Sequence, residues 1–138
     1  MFNPFDSDDP STLVELINTR ADRDADRVAY RFLEPCGDGV FDSAEVTFRQ
    51  LRALVAAAAA TIADRSAPGA RVVLLAAPGL DYIVSFFGCI YAGRVPVPAY
   101  PPTSARHLPR LFAVVRSARA QLLICDQLFY ENRLRVVP

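Results

Sequence analysis

His107 is the only histidine in the chain, so histidine metal clusters and paired-histidine mechanisms are unavailable and one general-base candidate remains. Its plainer role, and the expected one, is a polar residue opening a helix. Asp81 follows the Pro78-Gly79 turn at a helix start. A carboxylate there more simply caps the helix or compensates its dipole than does acid–base work. Arg94 lies just past a buried helix. Its guanidinium could hold a carboxylate or phosphate, or bind the carbonyls that the helix end leaves exposed. The six glycines, at 37, 39, 69, 79, 88 and 93, form neither a phosphate loop nor a dinucleotide-binding fingerprint. All 15 basic residues are arginine, which excludes a Schiff base or a phosphate-loop lysine within this chain. Cys36, Cys89 and Cys125 have neither disulfide-framework nor zinc-ligand spacing, and Cys89 and Cys125 sit in apolar runs as small buried hydrophobes. Tyr30, Tyr82, Tyr91 and Tyr100 read as core or interface aromatics. No residue is therefore assigned as catalytic, cofactor-binding or metal-ligating. The Ala99-Tyr100-Pro101-Pro102 loop is the one place with an evident special geometry. Pro96, Pro98, Pro101 and Pro102 stiffen it and aim Tyr100, either as a rigid corner or as a loop shaping a cavity or partner surface.

These residues hang on one stretch, Arg71 to Pro102. Val72 to Leu75 is a continuous apolar run, the pattern of a strand covered on both faces in a parallel sheet. Leu80 to Gly93 is helical, with Leu80, Ile83, Val84, Phe87, Ile90 and Tyr91 at three- and four-residue spacings. Ser85, Gly88, Cys89 and Ala92 form a second stripe of small residues, which lets another element approach closely. Gly93 suits the left-handed position that closes a helix. Val95 to Pro98 is extended, and its prolines confine it to a short or edge strand. Upstream, Thr12 with Glu15 makes a capping box for a helix to about Asp24, with Leu13, Leu16 and Ile17 inward. Arg27 to Leu33, the turn Pro35 to Gly39 and the return strand Ala44 to Phe48 give a hairpin. Thr47 with Gln50 caps a helix to about Arg65, with Phe48, Leu51, Leu54, Val55, Ala58 and Ile62 on one face.

Downstream, a helix begins near His107, capped by Thr103 or Ser104, with Pro109 in its first turn. Leu108, Leu111, Phe112, Val115 and Ala118 point inward from it. Gln121 to Cys125 is a further buried strand, and Asp126 to Arg135 could begin another helix. The fold class is α/β: a mainly parallel sheet with helices on both faces plus an N-terminal β-hairpin. The alternation is unfinished at Val136-Val137-Pro138, so residues 1–138 read as one incomplete subdomain.

Composition bounds the function. With 52% hydrophobic and 22% charged residues the chain is globular, and its zero formal net charge gives no pointer to nucleic acid or an anionic membrane. MFNPFDSDDP lacks the basic start and apolar core of a signal peptide. Val72 to Gly93 is interrupted by Pro78-Gly79 and Asp81, so no transmembrane segment is expected. A reducing cytoplasm is the expected setting.

Four stretches carry a resemblance: TLVELINTRADRDADRVAYRFL, VTFRQLRALVAAAAATIA, ARVVLLAAPGLDYIVSFFGCIYAGRVPVPAYPP and RLFAVVRSARAQLLIC. Together they resemble the N-terminal part of adenylate-forming enzymes, the superfamily of acyl-CoA synthetases and nonribosomal adenylation domains. Val95 to Pro102, preceded by Gly88 to Gly93, is similar to the fatty acyl-AMP ligase branch. The resemblance implies ATP-dependent activation of a fatty acid to an acyl-adenylate with Mg²⁺, then transfer to an acyl carrier protein. The carboxylate attacks the α-phosphate and pyrophosphate leaves, a reaction that rests on positioning and charge neutralisation. The family's phosphate loop, its adenine- and ribose-binding motifs and its C-terminal catalytic lysine have no counterpart in this chain. The expectation is thus an N-terminal portion of a ligase, inactive alone and completed by a C-terminal remainder. The alternative is a non-catalytic remnant or standalone module that docks a carrier protein or ligase partner.

Overall fold

Two capping boxes set the first helix starts. The Thr12 hydroxyl accepts from the Glu15 N–H while the Glu15 carboxylate accepts from the Thr12 N–H, opening α1 (Leu13–Arg23). Thr47 and Gln50 repeat the arrangement for α2 (Phe48–Arg65). The computed structural model describes residues 10–36, 40–102, 104–126 and 130. Between the two helices lies an antiparallel hairpin, β1 (Val28–Cys36) and β2 (Val40–Thr47). It is longer than the sequence predicts: Pro35 and Cys36 stay in the ladder opposite Phe41 and Val40. Residues 37–39 lie outside the described residues. Phe48, expected in the return strand, is the first residue of α2 because Thr47 takes the cap.

β3 (Arg71–Leu74) is the middle strand of a parallel sheet ordered β4–β3–β5, with β4 at Val95–Pro98 and β5 at Leu122–Ile124. Its apolar run is buried on both faces, as its composition demands. Val72 and Leu74 pack with Ile62 and Cys89 on one side, and Val73 and Leu75 with Leu111 on the other. Burying each such side chain contributes about 1.5–3 kcal/mol, so this strand anchors both layers. On β4, the Val95 N–H donates to Ala70 O and the Ala99 N–H to Leu74 O. Strand alternation then turns positions 96 and 98 outward, and both are proline. That edge carries no backbone donor on β4, which leaves an added strand only the proline carbonyls to pair with.

α3 (Leu80–Tyr91) crosses between β3 and β4, and Gly93 after it has φ +67°, the left-handed close expected. α4 (Leu108–Ala118) covers the opposite sheet face. It does not start from a Thr103 or Ser104 cap: a 3₁₀ turn (Ala105–His107) intervenes, and His107 occupies the cap position without a side-chain cap bond. Ser104 instead places its hydroxyl 3.3 Å from His107 Nδ1. Pro109 sits within the first helical turn, as expected, while Thr103 lies outside the described residues. The helix closes on Arg119 in the left-handed conformation. Leu54 and Phe112, expected inward, are 42% and 37% exposed. Each lies at the margin of its apolar arc, whose centre is held by Leu51 and Val55 in α2 and by Leu111 in α4. Leu13 is likewise exposed, and Ile17 and Ala21 form the buried face of α1. Of the helix proposed over Asp126 to Arg135, only Asp126 and Tyr130 are among the described residues.

Candidate functional site

The proline-rich loop after β4 is a wall between two hollows. Tyr100 at its tip is 93% exposed, so it is not a core aromatic. On one side a hollow of about 240 Å³ is bounded by Ala76, Pro78, Tyr82 and Tyr100. On the other, about 440 Å³ is bounded by Tyr100, Pro102, Arg110, Leu111 and Val114. The stiff backbone thus shapes cavities as well as turning a corner. Arg110 was not singled out by sequence reasoning, because nothing in its helix announced that it would meet the loop. A third groove, about 520 Å³, follows β5 and is floored by Ala58, Ile62, Leu122 and Ile124. Among the described residues no strand pairs with the outer edge of β5.

The sequence-level candidates are scattered rather than gathered. Arg94 is engaged with helix ends: its guanidinium donates to the carbonyls of Ala63, Ser66 and Ala92 and to the Ser66 hydroxyl. Of its two open roles the structure selects carbonyl binding, with α2 as the main beneficiary. His107 sits on the exposed 3₁₀ turn and Asp81 in the first turn of α3. The Tyr91 hydroxyl donates to Asn18 Oδ1 at 2.8 Å, tying α3 to α1, and burial raises its phenol despite the nearby Arg52 charge.

Cys89 is fully buried against Ile62, Val72 and Leu74, and burial pushes its thiol from 9.0 up to about 11. A shift of that size lowers the neutral-pH thiolate fraction about 100-fold relative to an ordinary thiol. In a Cys36→Ser/Cys125→Ser background, maleimide labelling of Cys89 is expected only through unfolding. Native labelling at free-thiol rates would contradict the packing. The folded state holds this proton more tightly than the unfolded chain. Its stabilising contribution is therefore complete below pH 9.0 and fades as pH rises towards about 11.

Among the described residues the helix starts that could receive the phosphates of the nucleotide implied by the family resemblance are already capped, carry a carboxylate or lack a donor. First-turn N–H groups of α1 and α2 are already bonded by Thr12 and Thr47. α3 carries Asp81 at its positive end, and Pro109 removes a donor from α4. Among the described residues no three His, Cys, Asp or Glu side chains cluster as metal ligands. No described helix is long and apolar enough to cross a membrane.

Comparison with known proteins identifies the family to which this fold belongs. The family model described as AMP-binding enzyme matches residues 17–137. A long-chain-fatty-acid–AMP ligase of Mycolicibacterium smegmatis is 34% identical over 128 residues, 88% of this chain and 20% of that protein. A medium-chain-fatty-acid–acyl-carrier-protein ligase of Moorena producens is 34% identical over 119 residues, 84% of this chain and 20% of the relative. The crystal structure of a fatty acid AMP ligase from Legionella pneumophila superposes with a TM-score of 0.78 at 31% identity, covering 88% of this chain and 20% of that one. The chain spans about a fifth of the length of the relatives it matches. With the hairpin, the three-stranded parallel sheet and its covering helices arranged as in the N-terminal domain of adenylate-forming enzymes, the chain belongs to the AMP-binding enzyme family and resembles its fatty acyl-AMP ligases.

Proposed function

We propose that residues 1–138 are the N-terminal subdomain of an ATP-dependent fatty acyl-AMP ligase that activates a fatty acid as its acyl-adenylate for transfer to an acyl carrier protein. The observation that carries this reading is the agreement of sequence and fold with fatty acyl-AMP ligases along most of the chain. One neighbour, from Legionella pneumophila, was crystallised with acyl adenylate and pyrophosphate. The relative from Moorena producens is named for acyl-carrier-protein as its acceptor. In this reading the chain is scaffold. ATP, Mg²⁺ and the fatty acid meet residues supplied by a C-terminal remainder, in the cytoplasm. Among the described residues the outer edge of β5 is unpaired and borders an apolar groove, which favours a subdomain completed by further structure over a self-contained docking module.

Two measurements test the proposal. Intact mass of the native product, captured from its source with an antibody to this segment, is expected to be several times that of 138 residues. The native protein should catalyse fatty-acid-dependent ATP–pyrophosphate exchange, and the 138-residue chain alone should not exceed a heat-killed control. Exchange by the isolated chain would overturn the scaffold assignment. A native product of this length without exchange would leave a remnant or docking module.

A further inference from the structure

The β4 edge without backbone donors faces a second feature. Between Asp81 and Asp126 the sequence has no acidic residue, yet it places Arg106, Arg110, Arg116 and Arg119 on and around α4. All four are exposed. The described ion pairs all lie in the α1, hairpin and α2 region, none on α4. Arg110 stands between two adjoining hollows, one under Tyr100 and one running past Val97, Val114 and Ser117, of about 440 and 470 Å³. Together they form a trough between α4 and the loop and edge strand beside it, apolar along its floor, with Arg110 as the one arginine among its lining residues.

The trough has no backbone donors on its β4 side, because Pro96 and Pro98 hold the outward positions. An added β-strand would meet carbonyl acceptors but no N–H donors there and so form only part of a ladder, whereas a helix that recognises through side chains fits the shape. A concave channel also suits a rod better than a lipid surface, which favours convex apolar contact. Arg110, in a stretch of sequence without an acidic residue to oppose it, selects a carboxylate, and the projecting Tyr100 ring offers a rigid anchor with little conformational entropy to lose. Among the described residues β4 is the edge of the sheet, and the trough lies on that side, away from β5. We infer that this trough docks an acidic amphipathic helix of a protein partner. Resting on the ligase reading above, that partner is the acyl carrier protein.

The test measures binding of a fluorescently labelled acyl carrier protein, with its phosphopantetheine attached, to the native-length protein. Binding is expected to weaken as salt rises from about 50 to about 300 mM. Arg110→Glu should weaken it about tenfold or more and flatten the salt dependence, and Tyr100→Ser should weaken it several-fold. Arg116→Glu changes net charge equally but lies outside the trough lining, so its effect should stay below about threefold. Equal effects of the two arginine variants would mean a diffuse field and overturn the inference, as would no effect of either. Tighter binding to phosphatidylglycerol vesicles than to the carrier protein would also overturn it, in favour of a lipid surface. Exchange activity separates the two readings. Absent exchange in the unmutated protein fails the ligase reading, whereas normal exchange with carrier binding indifferent to Arg110→Glu fails the docking inference alone.

Discussion

Replacing Gly88 with leucine is expected to abolish the fold. Gly88 lies at the α2–α3 crossing, where a Cβ built on it would stand 2.9 Å from Ala58 Cβ and 3.4 Å from both Ala59 N and Ile62 Cδ1. Two of those neighbours are a methyl group carried directly on a helix backbone and the backbone itself, so neither can rotate away. Above this contact sit Cys89, Ile62 and Leu74, all buried, which leaves no slack for the helices to part. Overpacking of a tight core costs about 1–3 kcal/mol for a methylene or two, and leucine adds more than that. A loss above about 4 kcal/mol exhausts much of the stability of an ordinary domain. Gly88→Ala is the graded version. Alanine regains about 1 kcal/mol of helix propensity, so a net loss of about 1–2 kcal/mol is expected. Ala58→Gly removes the opposing methyl, and in the double variant it should restore part of the loss through a coupling of at least about 1 kcal/mol. Denaturant melts of the parent and the four variants decide it. Additive losses, or a Gly88→Leu variant as stable as the parent, would show that the helices are not held at this separation.

That close approach was legible in the sequence, because Ser85, Gly88, Cys89 and Ala92 repeat at helical spacing beside a larger apolar stripe. The capping boxes at Thr12 and Thr47 were legible for a similar reason: each is a local exchange of hydrogen bonds needing only the right residues three apart. The double-sided burial of β3 followed from an apolar run with no alternation. Less legible were features decided by distant partners. Leu54 and Phe112 have helical phases compatible with burial, and only the placement of neighbouring layers turns them outward. Arg119 adopts the left-handed close that glycine usually takes, with its N–H bonded to the Arg116 carbonyl, and nothing in its own type signals that. The candidate site was the least legible. Its aromatic, Tyr100, could be picked out by its prolines. Arg110 joins it only through the packing of α4 beside β4. No catalytic residue was assigned from the sequence, because the chain contains no lysine and no glycine-rich phosphate loop to assign one to.

Arg94 shows why tertiary reach escapes local reading, and its removal is expected to have the second largest effect. Sequence position links it to the end of α3, and one bond does go to the Ala92 carbonyl there. The rest of the guanidinium crosses to the end of α2, where Nη2 donates to Ala63 O and Ser66 O and Nε donates to the Ser66 hydroxyl. That hydroxyl in turn donates to Ile62 O at 2.6 Å. α2 ends on Ser66 in an extended conformation, without a left-handed cap to fold its last carbonyls back. One side chain therefore closes two helix ends that meet at the base of the sheet. Arg94→Ala leaves carbonyls of both helices without this donor. Charge-assisted bonds of this kind contribute about 1.5–3 kcal/mol, and water reaches the half-exposed site, so a loss of about 2–3 kcal/mol is expected. For a domain of this size that corresponds to a Tm lower by about 10 °C. Arg94→Lys should recover less than half, because an ammonium cannot span three carbonyls on two helices with a planar fork. Full rescue by lysine would assign the effect to charge at the helix ends, acting through the dipole. A loss below about 0.5 kcal/mol for Arg94→Ala would mean that solvent caps α2 as well as the guanidinium does. Partial rescue is the outcome that the geometry demands, since the carbonyls of Ala63, Ser66 and Ala92 lie where one fork reaches all three.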